Sequence, residues 1–150
     1  TLDNIVAFWN PAQAVEPGQE LAFDYRLYWG AQPPVRSTVA EVISTRLGVG
    51  GMPGRKPTLP LRKFVLDFQG GPLASLPRDT KVQAVVSASR GEILDVVIRP
   101  LKESDPWRCH FDLVVHGDEP VDLRCYLRDA NGALSETWLY QWSPPPETLG

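Results

Sequence analysis

Trp107-Arg108-Cys109-His110-Phe111-Asp112-Leu113-Val114-Val115-His116 is the stretch whose reading decides the fold. Trp107, Cys109, Phe111, Leu113 and Val115 share one face, opposite Arg108, His110, Asp112 and His116. Successive side chains of a strand point to opposite sides, so a period of two marks a strand with one buried face. Gly117-Asp118-Glu119-Pro120 is a turn, and Val121, Leu123, Cys125 and Leu127 form the next inward row. Asn131-Gly132 is the strongest hairpin signal in the chain, because both positions tolerate positive φ. Residues 134–142 form the closing strand, which Ser143-Pro144-Pro145-Pro146 ends.

The same pattern extends towards the N-terminus. Residues 4–10 read as a first strand, and Pro17-Gly18 marks a turn. Over residues 21–29, Leu21, Phe23, Tyr25, Leu27 and Trp29 lie opposite Ala22, Asp24, Arg26 and Tyr28, which predicts a strand with one buried side. Residues 35–47 are β-branched with mixed faces and predict a bend or bulge. A loop rich in Gly and Pro follows over residues 48–60. Phe64, Leu66 and Phe68 then face inward, and residues 73–80 form a connection with one helical turn. Val82, Ala84, Val86 and Ala88 share a face, and Arg90-Gly91 turns the chain into residues 92–99 as a hairpin candidate. About nine strands at this spacing, with no sustained helical period, predict an all-β antiparallel sandwich. The expected organisation is one domain over residues 1–143 with a Pro-rich tail over 144–150.

Composition narrows the function classes. The chain has 150 residues and a net charge of −3, with no basic stripe of the kind nucleic acid requires. Its apolar runs are only a few residues long, too short for a spanning helix. The opening Thr1-Leu2-Asp3-Asn4 has no initiator Met and no signal-like stretch, so the chain reads as a piece cut from a longer precursor or as a processed mature chain.

Few chemistries fit these residues. Glycoside hydrolysis needs two facing carboxyl groups about 5–9.5 Å apart. Asp24, Asp67, Asp95, Asp112 and Asp122 lie on outward faces or in loops and read as solvated acids of ordinary acidity. The loop Gly48-Val49-Gly50-Gly51-Met52-Pro53-Gly54-Arg55-Lys56 fails as a phosphate loop, since Lys56 is followed by Pro57 rather than Ser or Thr. It reads as a hairpin loop, or as a docking loop in which Arg55, Lys56 and Arg62 meet a partner. His110 and His116 are about 20 Å apart on an extended strand, too far for one ion. No metal and no cofactor is therefore expected. Cys109 and Cys125 both point inward on neighbouring strands. They read either as a disulfide candidate or as two buried thiols; a hairpin centred on Asp118–Glu119 would set Cys109 nearer Arg128.

Aromatic side chains allow two readings. Tyr28, Tyr126, Trp138, Tyr140 and Trp142 could present a row on which a sugar stacks. Alternatively, Trp29, Trp107 and one Trp of the last strand fill the core, with the others buried against a partner.

Ser135-Glu136-Thr137-Trp138-Leu139-Tyr140-Gln141-Trp142 resembles the closing strand of the periplasmic osmoregulated-glucan biosynthesis proteins G and D. Asn4-Ile5-Val6-Ala7-Phe8-Trp9, and Pro17-Gly18 through Leu27-Tyr28-Trp29-Gly30, are similar to the opening of that family's C-terminal domain. Arg90-Gly91-Glu92-Ile93 and Pro106-Trp107-Arg108 fall in the family's order, so the resemblance covers essentially the whole chain. It implies an immunoglobulin-like sandwich of seven to nine strands, located in the periplasm. It further implies a larger N-terminal domain of the same polypeptide that carries the glucan-binding cleft and the glucanase activity on β-1,2-linked glucan. No catalytic residue of the family maps onto this chain, so the expectation is an accessory, non-catalytic module. Its candidate contacts with that domain or with glucan are Tyr28, Arg55, Lys56, Arg62, Tyr126, Trp138, Tyr140 and Trp142. The rival expectation is a carbohydrate-binding module holding β-glucan.

Overall fold

The inward rows find their partners in two sheets. The computed structural model describes residues 12, 14–30, 34–35, 37–51, 54, 60–101 and 106–145. The strands among them are β1 (Glu41–Val49), β2 (Leu61–Gln69), β3 (Gln83–Ala88), β4 (Glu92–Pro100), β5 (Trp107–Val114), β6 (Val121–Arg128) and β7 (Trp138–Trp142). A short 3-10 helix at Gly71–Ala74 supplies the helical turn expected between β2 and β3.

One sheet has the order β1-β2-β5-β4 and the other β3-β6-β7, with every named pair antiparallel. This is the ABED and CFG arrangement of a seven-stranded immunoglobulin-like sandwich. The strand registers keep the inward rows aligned. Phe64 sits opposite Phe111, Leu66 opposite Cys109 and Phe68 opposite Trp107, so each row lies beside another row of the same face. In the second sheet Ala84 sits opposite Leu127, and Val86 opposite Cys125.

The core forms where the two inner faces meet. Phe64, Leu66, Phe68, Cys109, Phe111, Leu113, Val121, Cys125 and Leu127 are fully buried. Phe64 is central to it: its ring stacks on Phe111 at 5.1 Å and meets Trp138, Tyr140 and Trp142 edge-on at 6.1–6.2 Å. Burying such a side chain stabilises a fold by about 1.5–3 kcal/mol.

Ala40 ties the sheets together just before β1. Its N–H donates to Leu134 O at 2.9 Å, and its carbonyl accepts from Glu136 N at 2.9 Å. The Glu136 carboxylate in turn accepts from Val42 N at 2.8 Å. The bulge expected over residues 35–47 is present, between Val42 and Ser44. A second bulge interrupts β4 between Leu94 and Val97, where Asp95 adopts φ 51°. Asp is one of the few residues with a side chain that tolerates this left-handed region.

Three expectations change. Arg90-Gly91 does not close a hairpin: β3 pairs with β6 and β4 with β5, so this corner carries the chain from one sheet to the other. Arg90 fixes the neighbouring crossover, donating to Glu119 O at 2.7 Å and to His116 O. The β5–β6 turn is likewise a crossover and not a hairpin. Period two says which side of a strand is buried, and both strands of a hairpin and both strands of a crossover satisfy it.

The third change concerns the N-terminal region. The chain separates into two compact units, Thr1–Val35 and Arg36–Gly150, each described by itself. Residues 21–29 form no strand, and Trp29, expected in the core, is 91% exposed. The expected first strand, residues 4–10, lies outside the described residues, as do residues 146–150 of the tail. A strand exists only through its ladder, and alternation within one segment does not supply a partner.

Candidate functional site

The outer face of the four-stranded sheet carries the strongest electrostatics. Asp67 on β2 lies beside Arg108 on β5 and across from Ser44 on β1. Arg108 grips it through Nε to Oδ1 at 2.7 Å and Nη2 to Oδ2 at 2.9 Å, while Arg46 donates to Oδ2. Further along, Asp112 is 1% exposed; Lys63 Nζ lies 2.7 Å from its Oδ1, and Gly51 N donates to its Oδ2 at 3.0 Å. The root of the glycine-rich loop is thereby fastened to the sheet.

Asp67 and Asp112 are not the solvated acids expected from their outward positions: both are buried by long basic neighbours. Arg and Lys stems cover the surface around the carboxylates they pair with. The register places Asp67 at the Arg108 level and Asp112 at the Lys63 level, four residues along β2. That is about 13 Å, beyond the spacing at which two carboxyl groups cooperate in glycoside hydrolysis.

Acidity follows from these contacts. The Arg108 hydrogen bond holds the Asp67 carboxyl below its ordinary range, with Arg46 adding to it and burial opposing. Burial lowers the His110 imidazole pKa, helped by the charges of Lys63 and Arg99 and opposed by Asp112 and Asp95. Both groups have a lower pKa folded than unfolded. Asp67 therefore contributes fully above about pH 3.9, and its contribution fades as the pH falls through its folded value. His110 disfavours the fold progressively as the pH drops from about 6.5 through its own folded value. Melting temperature is expected to fall on acidification in two stages. His110→Gln should flatten the upper stage. Asp67→Asn should flatten the lower stage and cost about 1–3 kcal/mol at neutral pH. Unchanged melting curves for both variants between pH 3 and 7 would contradict this assignment.

Among the described residues of the second unit, the sequence-predicted contact residues divide between the core and the surface. Trp138, Tyr140 and Trp142 point into the sandwich around Phe64; Trp138 and Tyr140 stack at 5.3 Å, and Trp138 Nε1 donates to Thr45 Oγ1 at 3.0 Å. Trp138 is buried and Tyr140 and Trp142 are half-buried against the core, while the period of β7 sends Leu139 and Gln141 outward. Arg62 joins this cluster, its guanidinium 5.9 Å from the Trp142 ring centroid. Tyr126 is half-buried on the outward row of β6, opposite Val85. Arg55 and Lys56 lie outside the described residues. Tyr28 belongs to the first unit, where it is exposed and receives a hydrogen bond from Arg26 at 3.4 Å.

Cys109 and Cys125 face each other across the core from opposite sheets, as two thiols with Sγ atoms 4.0 Å apart. The β5–β6 crossover produces this opposition, which a hairpin register would have prevented. Contact with the Cys109 sulfur, together with burial, pushes the Cys125 thiol pKa up. The Cys125 sulfur is therefore not a nucleophile in this state, since the thiolate is the reactive form.

Sequence reasoning missed Asp67, Asp112, Arg46, Lys63 and Arg108 as a set. The available signal was weak: acid and base alternate on one outward face, but only the pairing of β1, β2 and β5 brings them together.

Comparison with known proteins adds what geometry does not give. Residues 1–142 match the family described as "Periplasmic glucan biosynthesis protein, MdoG". The chain is 51% identical over 150 residues to the "Glucans biosynthesis protein D" of Xanthomonas axonopodis pv. citri (strain 306), covering 97% of this chain and 28% of that protein. It is 49% identical over 148 residues to the protein of the same description from Stenotrophomonas maltophilia (strain K279a), again over 97% and 28%. A "Probable glucans biosynthesis protein D" from Shewanella oneidensis is 47% identical, over 97% of this chain and 27% of its own length. The chain thus spans about 28% of the length of the curated relatives it matches. With the family match running through both units of the chain, this sequence belongs to the periplasmic glucan biosynthesis family.

Proposed function

We propose that this chain is an accessory, non-catalytic part of a periplasmic glucan biosynthesis protein, acting beside a larger glucan-acting portion of the same polypeptide. The observation that carries the reading is the similarity to glucans biosynthesis proteins of which the chain spans only 28%. The sandwich supports it: its interior is filled by side chains, and its two buried carboxylates, Asp67 and Asp112, stand about 13 Å apart. The working compartment is the periplasm, and the wider process is the making or trimming of osmoregulated glucan with a β-1,2-linked backbone.

The test is incubation of the 150-residue chain with linear β-1,2-glucan, followed by chromatography of the products. The expected result is an unchanged length distribution; accumulation of shorter chains would remove the reading. A carbohydrate-binding role is less favoured, because Trp138 is buried and Tyr140 and Trp142 pack edge-on against Phe64. Calorimetric titration with the same glucan should show no heat at millimolar ligand, and saturable heat would reinstate that role.

A further inference from the structure

The first unit carries a feature that the sandwich does not use. Residues 21–29 alternate Leu, Phe, Tyr, Leu and Trp with Ala, Asp, Arg and Tyr, the pattern of a strand with one dry and one wet face. Pro17-Gly18 precedes them in a turn closed by Gln19 N to Glu16 O at 3.1 Å, and Gly30 follows. Yet they pair with no strand among the described residues, and their large side chains stand in solvent: Phe23 is 64% exposed, Tyr25 80% and Trp29 91%. The buried core of the sandwich is assembled from Ala40 onward.

A segment this apolar, whose backbone forms no ladder among the described residues, is an aggregation template unless something covers it. Five large side chains on one face require an apolar layer beneath them, and the free backbone requires a neighbouring strand. Both requirements are met by adding the segment to the edge of an existing sheet. The family match includes these residues, and the chain covers only 28% of the Xanthomonas axonopodis relative, so most of that protein's length lies outside the matched stretch. A partner in the same polypeptide has an effective concentration no separate molecule reaches.

We infer that residues 21–29 form a β-strand that completes a sheet in the portion of the same polypeptide lying outside this chain, with Leu21, Phe23, Tyr25, Leu27 and Trp29 facing that portion's core. The segment then serves as the joint between the immunoglobulin-like sandwich and the rest of the protein. This rests on the reading of the chain as one part of a longer polypeptide, and it names the residues that make the connection and the way they make it.

Amide hydrogen exchange tests it, on the full-length polypeptide and on the 150-residue chain in parallel. Amides of residues 21–29 should exchange at least about 100-fold more slowly in the full-length protein, a difference typical of a ladder that forms only there. A Phe23→Asp, Leu27→Asp variant of the full-length protein should return them to fast exchange while β2 amides keep their protection. Fast exchange of the unsubstituted segment in the full-length protein would overturn the inference. Protection that rises with protein concentration in the 150-residue chain and accompanies dimer formation would also overturn it, in favour of pairing between two copies. Neither result bears on glucan shortening, so this inference and the accessory reading fail separately.

Discussion

Replacing Phe64 with alanine is expected to lower the unfolding free energy by about 3–5 kcal/mol, the range for removing a buried aromatic ring. Small domains have only about 5–15 kcal/mol in total, so the variant should lose a large fraction of its stability. The reason is the position of the ring: it is fully buried, stacks on Phe111 and receives the edges of Trp138, Tyr140 and Trp142. One deletion therefore opens a cavity at the place where β2, β5 and β7 meet. Urea unfolding followed by tryptophan fluorescence should show a lower midpoint with an unchanged slope. Leu139→Ala is the control, because Leu139 is 67% exposed on the neighbouring position of β7 and should shift stability by less than about 0.5 kcal/mol. Equal midpoints for the two variants would show that the aromatic cluster does not hold the sheets together.

The second large effect is expected at Gly71. A Cβ there would lie 2.4 Å from Val39 C and 2.5 Å from Ala40 N, both backbone atoms, and the residue sits at φ 49°. Ala40 cannot retreat cheaply, since its N–H and C=O are committed to Leu134 and Glu136 in the segment between β6 and β7. Gly71→Ala should cost about 2–5 kcal/mol, combining left-handed backbone strain with forced displacement of packed atoms. The adjacent Gly70 separates the two causes: it also has positive φ, at 85°, but an added Cβ meets nothing within 4 Å. Gly70→Ala should therefore cost only about 1–2 kcal/mol. If both substitutions shift the thermal midpoint equally, the approach of Gly71 to the Ala40 crossing is not what fixes this glycine.

The ionic face asks a different question. Asp67 is buried between two arginines, yet replacing such groups with apolar residues of similar size is often neutral in other proteins. Its acid-side contribution is thus the part that titration isolates, which is why melting temperature against pH discriminates better than a single alanine variant.

What the sequence determined by itself is which side of each strand is dry. Phe64, Leu66 and Phe68, then Trp107 through Leu113 at every second position, then Val121 through Leu127, all lie inward as their alternation requires. That follows from the pleat, a local property of the backbone. The hairpin at Asn131-Gly132 was legible for the same reason: β6 pairs with β7, and Asp129 Oδ1 accepts the N–H groups of Asn131 and Gly132 within the turn.

Only the tertiary structure decided which rows face each other. Crossing between sheets at Arg90-Gly91 and again after β5 sets Cys109 against Cys125 and turns Trp138, Tyr140 and Trp142 inward onto Phe64. The burial of Asp67 and Asp112 likewise depends on side chains arriving from other strands. Residues 21–29 show the limit most directly. Alternation fixes the two faces of a segment, but hydrogen-bond partners are non-local, so it says nothing about where along the polypeptide those partners lie.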